Sequence, residues 1–238
     1  MLGCGDAFNS GARLHACFWI ETPDANVLVD CGPSVLAGIK AGGLSADSLD
    51  AVVISHLHGD HFGGIPFLLL ELDIVRRRTR ELVIAGPTGI RQRVNEAMSL
   101  LFPGTPLKLL PVRFVELEPR VSSTIGPVSV TAFPVVHVPE TNPLALRLEL
   151  EGRVLAYSGD TEWTDELLAV AGGANVFLCE CSTLDLDVPG HLSVKTLAAK
   201  RDLLRCDRVL LIHMGEDVLS APPPERFELA RDGMRVTL

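Results

Sequence analysis

The stretch "VVISHLHGDHFGG", Val52 to Gly64, sets three histidines and an aspartate within six residues at the end of an apolar run. Val52, Val53 and Ile54 are β-branched and contiguous, the signature of a strand buried on both faces. The next residues crowd four coordinating side chains onto one turn. In a chain with 7 histidines, a chance His-x-His-x-Asp-His match is about one in a few thousand. A turn at Gly59 is expected to send His56 and His58 to one side and Asp60 and His61 to another.

Three further apolar runs end the same way: "FPVVH" at His137, "LAYSGD" at Asp160 and "LLIH" at His213. Rigid strands position the loops at their ends, where chemistry concentrates. One histidine closing one strand reads as a satisfied structural residue. Four strand ends closed by ligand-type residues read as a site. Imidazole and carboxylate donors, with no thiolate required, suit zinc, with manganese or iron as alternatives. An ion that keeps a water takes three or four protein ligands. Seven candidates (His56, His58, Asp60, His61, His137, Asp160 and His213) are too many for one ion and suit two divalent metal ions that share a bridge. Asp160, on the Gly159 turn, is the natural bridging carboxylate. The pattern points to a dinuclear hydrolase.

The rest of the chain sets limits. Its 238 residues, 47% hydrophobic, suffice for one large core, and a single domain over 1–238 is expected. A formal net charge of −9 argues against a broad phosphate-binding surface. No apolar run approaches the ~18 residues of a membrane helix, and "MLGCGDAFNSG" lacks the flanks of a secretory signal. Six scattered cysteines read as reduced, mostly buried thiols in a cytoplasmic protein. β-Rich runs alternate with helical ones. "TGIRQRVNEAMSLLF" is an amphipathic helix with Thr88 as N-cap, and "SVKTLAAKRDLL" is a helix capped by Ser193. "EG" at 151–152 marks a hairpin, and the Asp-Gly pair in "FELARDGMRVTL" a second, C-terminal one. Two β-rich groups with interspersed helices predict an α/β fold, a four-layer αββα sandwich.

The motifs "SHLHGDHFGG", Asp30 in "VLVDCG", His137, "SGDT" and "LIHM" resemble, in order, those of the metallo-β-lactamase superfamily. The resemblance covers nearly the whole chain and implies the same αββα fold. Carried over by position, it puts His56, His58 and His137 on one metal and Asp60, His61 and His213 on the other. Asp160 bridges them and Asp30 supports the site from behind. "PGHLSVKTLAAK", "GCGDAFNSG" and "SGDT" resemble the ribonuclease Z and phosphodiesterase branch. There, a histidine at the place of His191 protonates the leaving oxygen. His191, Asp60 and Asp160 are then the expected catalytic residues, with two ions activating a water against phosphorus.

Ribonuclease Z clamps tRNA with a long arm between the third-motif histidine and the bridging aspartate. Here His137 and Asp160 are 23 positions apart (160 − 137), and a β-hairpin fills them. A small phosphodiester, such as a cyclic nucleotide or nucleotide fragment, is therefore the expected substrate, and extended nucleic acid is not. "RRRTR", Arg76 to Arg80, reads as a solvated helix end. Lactone and thioester hydrolysis and tRNA 3′ processing are alternatives within the superfamily, and a non-enzymatic metal-binding scaffold is disfavoured because no ligand is lost. Tyr157, three residues before Asp160, is expected to point away from the site, against a lactonase role. His15 is assigned a structural place on the first strand. A homodimer is compatible with the resemblance.

Overall fold

The computed structural model describes residues 1–238. One sheet has the order β1–β2–β3–β4–β5, formed by Phe18–Glu21, Asn26–Val29, Ala51–Val53, Leu82–Gly86 and Val112–Glu116. β1 and β2 form an antiparallel hairpin, while β2 to β5 run parallel. The second sheet comprises β6 (Ser122–Ile125), β7 (Val128–Pro134), β8 (Leu144–Leu150), β9 (Arg153–Tyr157), β10 (Val176–Glu180), β11 (Arg208–Ile212) and β12 (Glu228–Leu229). It runs in the spatial order β12–β11–β10–β9–β8–β7–β6.

Side-chain alternation explains the layering. In β2, Val27 and Val29 enter a core of 26 buried residues that also holds Val53, Ala85, Leu146, Leu148, Leu178 and Ile212. That core is the seam between the sheets. Leu28 points the other way, into a second cluster with Val52, Ile54 and Ile84. There it meets α1 (Val35–Ala41), α3 (Ile65–Leu70) and α4 (Ile90–Leu101). On the outer face of the second sheet, Ala156, Phe177 and Leu211 pack under α5 (Glu166–Ala171), α6 (Val194–Lys200) and α7 (Glu216–Ser220). Three apolar seams separate four layers, the predicted αββα sandwich. At about 25 cal/mol per Å² of apolar surface, these seams are the main favourable term in folding. No helix is long and apolar enough to cross a membrane.

Several local expectations hold. Ser193 Oγ accepts from Thr196 N at 3.1 Å, capping α6. Glu151 and Gly152, both at positive φ, turn β8 into β9. All six cysteines are free, five of them buried.

Others are corrected. Thr88 does not cap α4: Gly89 holds that position at φ 88°, with no side-chain cap. The C-terminal hairpin is absent. β12 pairs parallel with β11 instead, and the Asp232 carboxylate is drawn inward to accept from Cys4 N and Leu14 N. "RRRTR" is a solvated helix end only in part: Arg76, Arg77, Thr79 and Arg80 are exposed just beyond the helical turn Glu71–Val75. Arg78 is buried and donates to the carbonyls of Asp47, Arg80 and Glu81, and Arg80 pairs with Asp50. Arg78 and Arg80 fasten loops. The polar strand β6 was not foreseen, because "SSTI" carries little apolar signal.

Candidate metal centre

The centre lies where β2, β3, β7, β9, β10 and β11 end. His56 follows β3, His58 precedes α2 (Gly59–Phe62), and α2 carries Asp60 and His61. Gly59 begins this short helix at negative φ and opens onto free space. The division of the motif therefore comes from α2 starting after His58, and no special turn at Gly59 is needed. Asp30 and His213, at φ 54° and 53°, occupy the left-handed region that non-glycine residues avoid, as does Gly159 at 58°. Such backbone strain collects at functional sites.

The seven predicted ligands form two groups. His56, His58 and His137 offer donor atoms within 4.8 Å of one another, as do Asp60, His61, Asp160 and His213. Asp160 Oδ2 stands 3.9 Å from His56 Nε2, 3.4 Å from His61 Nε2 and 3.3 Å from His213 Nε2, so it touches both groups. His58 Nδ1 and His137 Nε2 converge to 2.9 Å.

The polar atoms behind these rings fix how they face the centre. His61 Nδ1 donates to Asp30 Oδ2 at 2.7 Å. His137 Nδ1 donates to the Gly190 carbonyl at 2.8 Å. Each bond leaves Nε2 directed inward, the arrangement that metal-binding histidines adopt. Asp30, fully buried, also accepts from Ser55 N, Ser55 Oγ and Tyr157 Oη.

Charge divides the two groups. Burial, aided by neighbouring histidines, holds His56 well below the ordinary imidazole range, and burial also lowers His58 and His137. These three are neutral bases. Burial opposes charge on His61 and His213 too, but Asp160 and Asp60 outweigh it; His61 is raised well above its usual value and His213 to about 9. Burial likewise opposes ionisation of Asp160, and the charges of His213 and His61 overcome it. The second group is thus an anionic nest that collects positive charge.

A divalent ion pair fits this donor set. His56 Nε2, His61 Nε2 and Asp160 Oδ1 are buried without a hydrogen-bond partner. Although Asp60 Oδ2 lies 3.2 Å from His61 Nε2, the contact misses hydrogen-bond geometry. A buried polar atom left unpaired costs about 1–3 kcal/mol, and three converging ones mark a place for a cation.

His191 stands at the rim, its ring 4.9 Å from that of His137 and 5.7 Å from that of His213. Its Nδ1 lies 3.0 Å from Glu180 Oε1 and 3.1 Å from Ser182 Oγ. Burial disfavours the imidazolium, but the Glu180 hydrogen bond and charge prevail and raise its pKa. Glu180 escaped the sequence reading, as did Ser55 and Ser182. A glutamate closing the run "NVFLCE" was the available signal. Tyr157 does not point away as expected. It lies between the sheets, with its hydroxyl 2.6 Å from Asp30 Oδ2 and 3.3 Å from His61 Nδ1. His15 is not on the first strand: it precedes β1, in an isolated bridge with Gly5, and bonds Ser34 through its backbone and ring.

The β-lactamase superfamily domain matches residues 25–214, a span that includes all seven ligand candidates and His191. The chain belongs to this superfamily. Among relatives of this superfamily member, ribonuclease Z of Parabacteroides distasonis is 29% identical over 140 residues, 58% of this chain and 45% of that protein. The chain spans under half the length of the first curated relatives it matches. Human tRNase Z, short form, superposes with a TM-score of 0.79 at 23% identity, over 99% of this chain and 97% of that one. A diphosphatase from the PhnP family superposes at 0.78 with 16% identity, over 100% and 96%. At these identities the superpositions establish the metallo-β-lactamase fold.

Proposed function

We propose that this superfamily member is a hydrolase of small phosphodiesters that works with two divalent ions, zinc in both positions. His56, His58 and His137 hold one ion, Asp60, His61 and His213 the other, and Asp160 is shared. The observation that carries the reading is the meeting of the two donor groups at Asp160, with the His191–Glu180 pair beside them.

Paired divalent ions supply a water of lowered pKa and neutralise phosphoryl charge. The chain's own residues do the rest. Neutral His56, His58 and His137 present lone pairs without first losing a proton. Asp30 and Gly190 hold the rings of His61 and His137 in place. Glu180 keeps a proton on His191 Nδ1 and favours the imidazolium, whose other nitrogen can pass a proton to a departing alkoxide. Such a leaving group needs an acid. Tyr157, buried on Asp30, offers no hydroxyl to a lactone carbonyl.

Cleavage of tRNA 3′ ends is the second reading, favoured by the ribonuclease Z relatives. Against it, β8 and β9 take up most of the chain between His137 and Asp160, leaving no length for an RNA-clamping arm, and the net charge is −9. Turnover of a chromogenic phosphodiester, a phosphomonoester, a lactone, a β-lactam and a precursor tRNA by zinc-loaded protein tests both. The phosphodiester is expected to exceed the others. Lactone turnover above it would reject the proposal, and efficient 3′ cleavage of the tRNA would install the second reading. Cytoplasmic placement, a single domain over 1–238 and a homodimer belong to the same proposal and are tested by fractionation, limited proteolysis and sedimentation.

A further inference from the structure

A cavity of about 420 Å³ adjoins the metal centre on the side of His137, which lines both. Its volume falls in the range of small-molecule sites. Five prolines wall it: Pro87, Pro119, Pro134, Pro139 and Pro143. Four aliphatic side chains complete the lining, with Thr88 and Asn142 at its edge. A larger apolar cavity, of about 490 Å³, lies at the opposite end of the sandwich beside the Glu151–Gly152 turn, and no histidine lines it.

Two features make the proline cavity a formed site. Prolines fix φ and carry no N–H, so its walls are stiff and poor in donors. Its segments are also fastened to the centre and to each other. Leu57 N, between His56 and His58, donates to Thr141 O at 3.0 Å. Asn142 Nδ2 donates across to Thr88 O at 3.0 Å, and Thr141 Oγ1 ties back to Val138 O. A group bound here is therefore held in fixed register with the His56–His58–His137 face.

We propose that the proline cavity beside His137 is the substrate's organic subsite, and that it takes a planar ring, the nucleobase of a nucleoside-bearing phosphodiester. The proposal rests on the phosphodiesterase reading and names its substrate class. Flat pyrrolidine faces contact a ring through C–H groups, and walls poor in donors give the edge of a base few partners. Recognition by the face of a ring tolerates any base. A substrate with only a methyl group on the non-leaving side leaves the cavity unused.

The test compares thymidine 5′-(p-nitrophenyl phosphate) with methyl p-nitrophenyl phosphate on the zinc-loaded protein. The leaving group is shared, so the ratio of kcat/KM reports the subsite. The nucleoside ester is expected to lead by about tenfold, the gain from burying on the order of 60 Å² of a base's apolar surface at about 25 cal/mol per Å². Thr88→Trp and Pro139→Trp, which fill the cavity from different segments, are each expected to bring the ratio toward one. Equal kcat/KM for the two esters in the unaltered protein, or a ratio that neither substitution moves, overturns the subsite while leaving the phosphodiesterase reading intact. If neither ester is hydrolysed, that reading fails, and the cavity is then judged by saturation-transfer NMR with thymidine. Transfer abolished by Thr88→Trp supports the subsite, and no transfer to thymidine in the unaltered protein overturns it.

Discussion

Asp30 Oδ2 lies 2.7 Å from His61 Nδ1, and both side chains are wholly buried. This contact joins the end of β2 to α2 and sets the orientation of a ring whose other nitrogen faces Asp60 and Asp160. Tyr157 Oη reaches the same carboxylate oxygen from β9, across the seam between the sheets. The fold thus delivers one buried acceptor to one imidazole through both sheets.

Asp30→Ala should lower metal affinity by about 10–100-fold, as loss of a carboxylate behind a ligating histidine does. Tyr157→Phe removes one of the four groups that bond Asp30 and should have a smaller effect of the same sign. Zinc titration against a competing chelator measures both. An unchanged affinity in Asp30→Ala would show that His61 needs no orienting partner.

His191 is separated from the ligands by its substrate dependence. His191→Ala should retain both ions and lose about 10²–10⁴ in rate on a substrate with a poor alkoxide leaving group, the usual scale of acid–base catalysis. The loss should shrink for a nitrophenolate, which departs without a proton. Glu180→Gln should follow the same pattern more mildly, since Glu180 holds the His191 proton at 3.0 Å. His61→Ala should instead weaken metal binding and damage both substrates alike. Equal losses for the two leaving groups in His191→Ala would make it a positioning residue.

Much of this site was legible in the sequence, because four of the ligand candidates, His56, His137, Asp160 and His213, follow apolar strands, and His58, Asp60 and His61 come with the first of them. "VVISH", "FPVVH", "LAYSGD" and "LLIH" announced both the sheet and the donor. What was not legible depends on contacts between distant segments. Glu180 meets His191 across a loop, and Tyr157 meets Asp30 across 127 positions. Strand periodicity turned Tyr157 away from the site, and it could not show that the face it occupies looks onto Asp30 and His61. The misread C-terminus has a similar cause. An Asp-Gly pair favours a tight turn locally, but the Asp232 carboxylate is claimed by Cys4 and Leu14 at the other end of the chain.

The second donor group predicts a pH dependence. In the metal-free protein Asp160 and Asp60 overcome burial and raise His213 to about 9 from an ordinary 6.5. Its proton therefore favours the fold fully below about 6.5, and that contribution fades as pH rises through 9. A metal must displace this proton and that of His61, which is raised as well, so apparent affinity should rise by about tenfold or more per pH unit below 9. Calorimetry in buffers of different ionisation enthalpy should find at least one proton released per second ion bound at pH 7.5. Release near zero would mean that His213 does not bind metal.

The central claim is that two ions share Asp160, and elemental analysis of metal-replete protein, together with its Asp160→Ala variant, tests it most directly. The unaltered chain should saturate at about two zinc ions, the number its seven donors can serve, and the variant should fall to one or fewer. Saturation at a single ion, with Asp160→Ala binding it unchanged, would contradict the account.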